Sequence, residues 1–355
     1  MTVPVLAPHG PAPLGDGPIG VGIVGNGMAT GVFHAPYIAA TPGLELRAVV
    51  SRRRDAAPPA PGVRLVPDIE TLLADPAIAL VVIATPSASH ADLATRALEA
   101  GRHVVVEKPF TLDPIAARGL FALAEARGLL ATAFHNRRWD ADFLGLRAAL
   151  EQGLIGRPVH FESHFDRFRP EVQDRWRESG APGSGLWYDL GPHLVDQAVQ
   201  LFGRPLEVDA DLSCLREGAR AVDHVHVALH YAGLRVVLHA GSCVAGGEAR
   251  FRVHGTGGSL IKAGLDVQEE QSKAGLRPGD EAWGLDPEPL VRFDAQGQRE
   301  ETPLPRGAQH RFYAMMAAAC RGEGALPARP EDVLLVQDIL AAAIASSEQG
   351  SRITL

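Results

Sequence analysis

Between Ile19 and His135, short aliphatic runs alternate with longer stretches whose apolar residues recur at helical spacing. The runs are IGVGIVG (19–25), ELRAVVS (45–51), ALVVIAT (79–85), HVVVE (103–107) and LLATAFH (129–135). Near-continuous β-branched and aliphatic residues, with no polar alternation, mark strands covered on both faces. DLATRALEAG and PIAARGLFALAEARG lie between them, each with a helical apolar stripe and a closing glycine. Five strand–helix repeats predict a doubly wound parallel sheet, an N-terminal Rossmann domain over residues 18–138.

Beyond about residue 140 the rhythm changes. A helix, DADFLGLRAALEQG, leads into PVHFESHFDRF, and a second helix is expected from about Asp189. Five strand-like stretches then follow almost directly on one another, from LEVDADLSCLR to GSLIKAG, before two helices and a short RITL strand close the chain. Strands in direct succession usually pair antiparallel. Residues 139–355 are therefore expected to form an α+β domain with a large, mostly antiparallel sheet and helices on one face.

A length of 355 residues suits two such domains. A hydrophobic fraction of 46% and a charged fraction of 21% exclude a disordered or collagen-like chain. The net charge of −8, with 34 basic and 42 acidic residues scattered along the chain, argues against a nucleic-acid partner. No apolar run approaches the roughly 18 residues of a membrane helix. Residues 1–17, rich in proline and glycine, read as a flexible tail without signal-peptide character. Cys214, Cys243 and Cys320 are far apart and form no C-x-x-C pair, so reduced thiols and a cytoplasmic location are expected.

The first strand runs directly into GNGMATG, residues 25–31. A dinucleotide loop needs one glycine for the turn, a second for close approach of the pyrophosphate, and a small third residue for packing. Gly25 and Gly27 take the first two places and Thr30 the third, with Met28 and Ala29 opening the helix whose N-terminus would face the anion. At the end of the second strand, where NAD(H) is normally met by Asp or Glu, stand Ser51, Arg52, Arg53 and Arg54. A hydroxyl and guanidinium groups suit a 2′-phosphate, so NADP(H) is preferred and NAD(H) remains possible.

In GLWYDLGPHLVDQAVQLFG, residues 185–203, Asp189 is expected to cap the helix and Pro192 to fall in its first turn. Asp189 and His193 are one turn apart, and a carboxylate beside an imidazole suits proton exchange with an alcohol. A solvated polar face made by His193, Asp196, Gln197 and Gln200 explains the same spacing equally well.

At this point the chain resembles the Gfo/Idh/MocA oxidoreductases. The likeness rests on the GxG loop, VVIATPSASHADLATRALEAGRHVVVEKPF, HNRRWD and GLWYDLGPHLVDQ, and is nearest to the NADP-dependent scyllo-inositol dehydrogenase branch. It implies that Lys108 of the EKP tripeptide hydrogen-bonds the reacting oxygen, with a cis bond to Pro109, and that Asp189 and His193 are the second-domain acid and proton-exchanging histidine. It also implies that Thr85, Pro86, His90, Glu107, Lys108, Asn136 and Arg137 lie close to the cofactor. The activity expected is interconversion of a secondary alcohol and a ketone on a cyclic polyol or sugar. The alternatives are a non-catalytic NAD(P)-binding sensor and a reductase of a non-carbohydrate substrate such as a diol.

His164, Arg167 and Trp176 are the substrate-pocket candidates. Alternation puts His224, His226 and His230 on one strand face. A structural zinc site generally wants a fourth ligand, which the sequence does not offer, so no metal is expected. That face reads instead as half-exposed, with a homodimer or homotetramer formed through the C-terminal sheet.

Overall fold

The computed structural model describes Leu14, residues 17–53 and residues 55–355. The tail expected over residues 1–17 thus lies almost wholly outside the described residues, and Arg54 also lies outside them. The chain divides into two compact units, His310–Pro330 returning to the first. The first comprises residues 1–134 and 310–330 and the second residues 135–309 and 331–355. The single division expected after residue 138 is replaced by one after Phe134, and the return segment carried no sequence signal of its destination.

The first unit is built on a six-stranded sheet: β1 (Ile19–Val24), β2 (Leu44–Val50), β3 (Arg64–Val66), β4 (Ile78–Ile83), β5 (His103–Val106) and β6 (Ala131–Ala133). Their order is β3-β2-β1-β4-β5-β6 and every pair is parallel. β1, β4 and β5 are buried along their whole length, as their Val/Ile runs require. β3 was not expected: three residues with an exposed Arg64 are too short to show a pattern. The strand that ends at the EKP tripeptide is consequently the fifth of six. The order of strands reverses between β1 and β4, where open α/β sheets bind ligands beyond their carboxyl ends.

The second unit holds a nine-stranded sheet: β7 (Pro158–His164), β8 (Glu207–Ser213), β9 (His224–Tyr231), β10 (Leu234–Gly241), β11 (Phe251–Gly255), β12 (Gly258–Lys262), β13 (Leu290–Asp294), β14 (Arg299–Thr302) and β15 (Ile353–Thr354). The order is β14-β13-β12-β11-β7-β10-β9-β8-β15, and only β7 and β10 pair parallel. Inward-facing Phe161, Val227, Val236 and Val253 pack with Leu194 and Ala198 of the helix Leu186–Phe202 and with Ile339 and Ala343 of the helix Pro330–Gln349. Burial of such aliphatic side chains, worth about 1.5–3 kcal/mol each, fixes both helices to one sheet face. The opposite face carries His160, Glu162, His164 and His239, which alternate with the buried residues.

The helix Leu186–Phe202 starts earlier than its sequence suggests. Gly185 is the N-cap, at φ 92°, with its Cα packed so closely that a Cβ would lie 2.9 Å from the Val222 nitrogen. Glycine is therefore required there. Asp189 falls in the first turn instead of at the cap, and Pro192 lies inside the helix, where it removes the bond to the Tyr188 carbonyl. No helix among the described residues is long and apolar enough to cross a membrane.

Candidate functional site

In the first unit, β1 ends at Val24 and the chain turns at Gly25, whose φ of 115° favours glycine. A Cβ there would come within 2.4 Å of the Ala84 carbonyl oxygen. Gly27 differs, because a Cβ on it would meet no atom within 4 Å. Space is thus left above the loop at the point where the helix opens with Met28 and Ala29. First-turn N–H groups have no intrahelical acceptor, so this edge is fitted to an anion such as a pyrophosphate. Thr30, in the place of the third glycine, is fully buried and donates its hydroxyl hydrogen to the Gly25 carbonyl at 2.7 Å. A π-helical turn, Thr30–His34, begins at this residue.

At the end of β2, Ser51 is half-buried and Arg52 and Arg53 are exposed. Arg53 Nη2 donates to the Asn26 carbonyl at 3.3 Å, which brings its guanidinium to the glycine loop. Beyond β4, the Thr85 and Ser89 hydroxyls are 2.7 Å apart, and Pro86 precedes the short 3-10 turn Ser87–Ser89. His90 is buried, with Nε2 at 2.9 Å from the Thr85 carbonyl and Nδ1 at 2.8 Å from the Pro109 carbonyl. Burial lowers its pKa despite both acceptors. His90 therefore acts as a strut between the loops that follow β4 and β5.

The Lys108–Pro109 bond at the end of β5 is cis. Beside it, Glu107 Oε1 is 3.0 Å from His34 Nε2, His34 Nδ1 is 2.7 Å from the Tyr313 hydroxyl, and Glu107 Oε2 accepts from the Lys108 amide at 3.0 Å. The carboxylate only accepts, so His34 Nε2 carries a hydrogen toward it. Burial would raise the Glu107 pKa, but the His34 hydrogen bond and the charges of His34 and Lys108 together lower it. Burial, then Glu107, pushes the Tyr313 phenol well up. Neither His34 nor Tyr313 was foreseen, since 279 positions separate them and no local pattern links them.

In the second unit, Asp189 Oδ1 accepts from Arg177 Nε at 3.2 Å, and His193 follows one turn later with 6% of its surface exposed. The polar face that continues from His193 is not a solvated one. Asp196 binds the Arg138 guanidinium at 2.6 and 2.9 Å, and fully buried Gln197 donates to the Arg137 carbonyl and accepts from Arg250 at 2.5 Å. Asn136 and Arg137 belong to the same buried network: Asn136 donates to Gln309 at 3.0 Å, and Arg137 pairs with Glu269 at 2.6 Å and Asp140 at 3.2 Å. Burial is the leading cause that raises Asp140, Asp142 and Asp266, the last to about 6.

Arg167, Arg177 and Asp189 line one basic cleft of this unit. Trp176 is half-exposed in the adjoining loop, with the Arg177 guanidinium 5.0 Å from its ring. His164 lies on the outer sheet face, where it bonds Asp166 and Glu162, and is not among the residues that line this cleft.

Residues 19–135 match the oxidoreductase family NAD-binding Rossmann fold, and residues 147–355 match the oxidoreductase family C-terminal alpha/beta domain. The chain belongs to the Gfo/Idh/MocA oxidoreductase family. It is 46% identical to the oxidoreductase YdgJ of Escherichia coli (strain K12), over 93% of this chain and 96% of that protein. It is 36% identical to scyllo-inositol 2-dehydrogenase (NADP(+)) IolW of Bacillus subtilis (strain 168), over 93% of this chain and 94% of that protein. A crystal structure of a Klebsiella pneumoniae oxidoreductase is 47% identical and superposes with a TM-score of 0.88, covering 96% of both chains. Membership accounts for the paired Rossmann and α/β units and for a glycine loop of the kind found in dinucleotide-binding folds.

Proposed function

We propose that this oxidoreductase uses NADP(H) to interconvert a secondary alcohol and a ketone on a cyclic polyol of the inositol type. The observation that carries the reading is the presence of Lys108, Asp189 and His193 together in a chain 36% identical to IolW over 93% of its length. The bound nicotinamide would supply or accept the hydride. Lys108 stabilises charge developing on the substrate oxygen, and His193 takes or returns the hydroxyl proton. Asp189, one turn before His193 on the same helix, is placed to orient the imidazole.

The preference for NADP(H) is supported by the end of β2, where Ser51, Arg52 and Arg53 offer hydroxyl and guanidinium donors in place of a carboxylate. Assembly as a homodimer or homotetramer through the outer face of the nine-stranded sheet is part of the same proposal, and light scattering after gel filtration tests it.

The functional experiment is a screen of inositols, aldoses and sugar acids with NADP+ and NAD+, followed by absorbance of the reduced nicotinamide. Oxidation of a cyclic polyol, faster with NADP+, is the expected result. Cofactor binding without turnover of any substrate would favour a sensor instead, and equal or better rates with NAD+ would remove the role given to Ser51 and Arg52.

A further inference from the structure

The outer face of the nine-stranded sheet gathers a set of side chains that the proposed reaction does not use. Across the parallel pair, His239 on β10 stands opposite His164 on β7, and across the antiparallel pair it stands opposite His226 on β9. Asp166, two residues beyond His164, reaches both of the first two rings. Its Oδ1 lies 2.8 Å from His239 Nδ1, and its Oδ2 lies 3.3 Å from His164 Nδ1. One ligand atom from each of the three residues falls within 4.8 Å of the other two.

We propose that His164, Asp166 and His239 form a binding site for a divalent cation of the zinc type. Two imidazole nitrogens and a carboxylate oxygen are the donor set that zinc and its neighbours favour. Bonds of about 2.0–2.1 Å place tetrahedral ligand atoms about 3.3 Å apart; the Asp166 oxygens already lie 2.8 and 3.3 Å from the two imidazoles, and the three ligand atoms lie within 4.8 Å of one another. Two of the three ligands are also held by neighbours. His164 directs its other nitrogen, Nε2, to Glu162 Oε2 at 3.2 Å, and Asp166 Oδ1 accepts from the Gly241 amide at 3.0 Å. A carboxylate behind a ligating histidine fixes the ring and strengthens its donor atom.

In the single chain the ligand side chains are 11%, 2% and 17% exposed for His164, Asp166 and His239, which lets an ion enter before assembly through this face covers the site. The sequence reading weighed His224, His226 and His230, a different set. His230 stands opposite Arg235 and Glu207, whereas the ring centroids of His224 and His226 lie 5.4 and 6.2 Å from that of His239. The ion would clip β7 to β10, the parallel pair at the centre of this sheet.

The test uses untagged full-length protein stripped with a chelator and titrated with Zn2+ by calorimetry, and with Co2+ followed by visible absorption. One ion per chain and a Co2+ band that Zn2+ displaces are expected. His239→Gln and Asp166→Asn should each abolish stoichiometric binding, Glu162→Gln should weaken it by about 10–100-fold, and His230→Gln should leave it unchanged. Circular dichroism checks that each variant is folded. Wild-type binding no tighter than that of His239→Gln, or stoichiometric binding that survives both ligand variants, overturns the site. If the ligand variants do not fold, the wild type decides alone: no Co2+ band at one equivalent overturns the site.

Discussion

Glu107 accepts a hydrogen bond from His34 Nε2 at 3.0 Å while its second oxygen accepts from the amide of Lys108. The carboxylate that precedes the EKP lysine is thus held from the first helix of the unit, and Tyr313 holds His34 in turn. His34→Ala would leave the partly buried Glu107 short of a donor, at a cost of about 1–3 kcal/mol. Glu107 has a depressed pKa in the folded protein, so its stabilisation is present above its unfolded value and is lost as pH falls through the folded one. Denaturant titrations from pH 3 to 7 should therefore show acid unfolding of His34→Ala at a higher pH than the parent. Coincident acid limbs would contradict this role.

Lys108→Met and His193→Ala should each lower turnover by at least about a hundredfold, with folding and NADPH affinity near those of the parent. Initial rates and fluorescence titration with NADPH separate the two effects. A variant that loses NADPH binding in proportion to its rate would reassign its residue from chemistry to cofactor holding.

The two loop glycines should respond differently to a methyl group. Gly25→Ala forces a non-glycine residue to φ 115° against the Ala84 carbonyl, and the backbone strain alone costs about 1–3 kcal/mol. At Gly27 the methyl meets only open space, so Gly27→Ala should keep stability within about 0.5 kcal/mol of the parent. It should nevertheless weaken dinucleotide binding at least about tenfold by blocking close approach of the pyrophosphate. Calorimetric titration of Gly27→Ala with unchanged affinity would rule out that approach.

Much of this arrangement is visible in the sequence, for identifiable reasons. Strands such as Ile78–Ile83 are buried on both faces, so their aliphatic runs are unbroken. Gly25, Lys108 and His193 lie in motifs defined by local spacing. Arg64–Val66 escaped notice because three residues cannot carry a period. The helix start at Gly185 escaped because Asp189 has the chemistry of a cap, whereas the real cap is set by packing against Val222. Asp196 and Gln197 look solvated by composition. They are buried because Arg138, Arg250 and the Arg137 carbonyl satisfy them, and such pairings between distant segments leave no trace in periodicity.

The buried carboxylates of the second unit impose a pH dependence of opposite sign to that of Glu107. Asp266 rises from 3.8 to about 6, chiefly through burial and then Asp142. A carboxyl that holds its proton more tightly when folded contributes stability at low pH that is lost as pH rises from about 4 to about 6. Asp266→Asn cannot ionise, so its stability should fall less than the parent's across that window. Equal slopes by denaturant titration would show that Asp266 is not the group responsible.

Hydride is expected to pass directly between a cyclic polyol and NADP(H). This transfer is tested most directly by incubating the enzyme with inositols deuterated at the ring carbons and NADP+, then weighing the reduced cofactor by mass spectrometry. One deuterium per reduced nicotinamide, matched by one ketone formed, is the predicted result. Absence of NADP+ reduction with every inositol, or reduced cofactor that carries no deuterium, would contradict it.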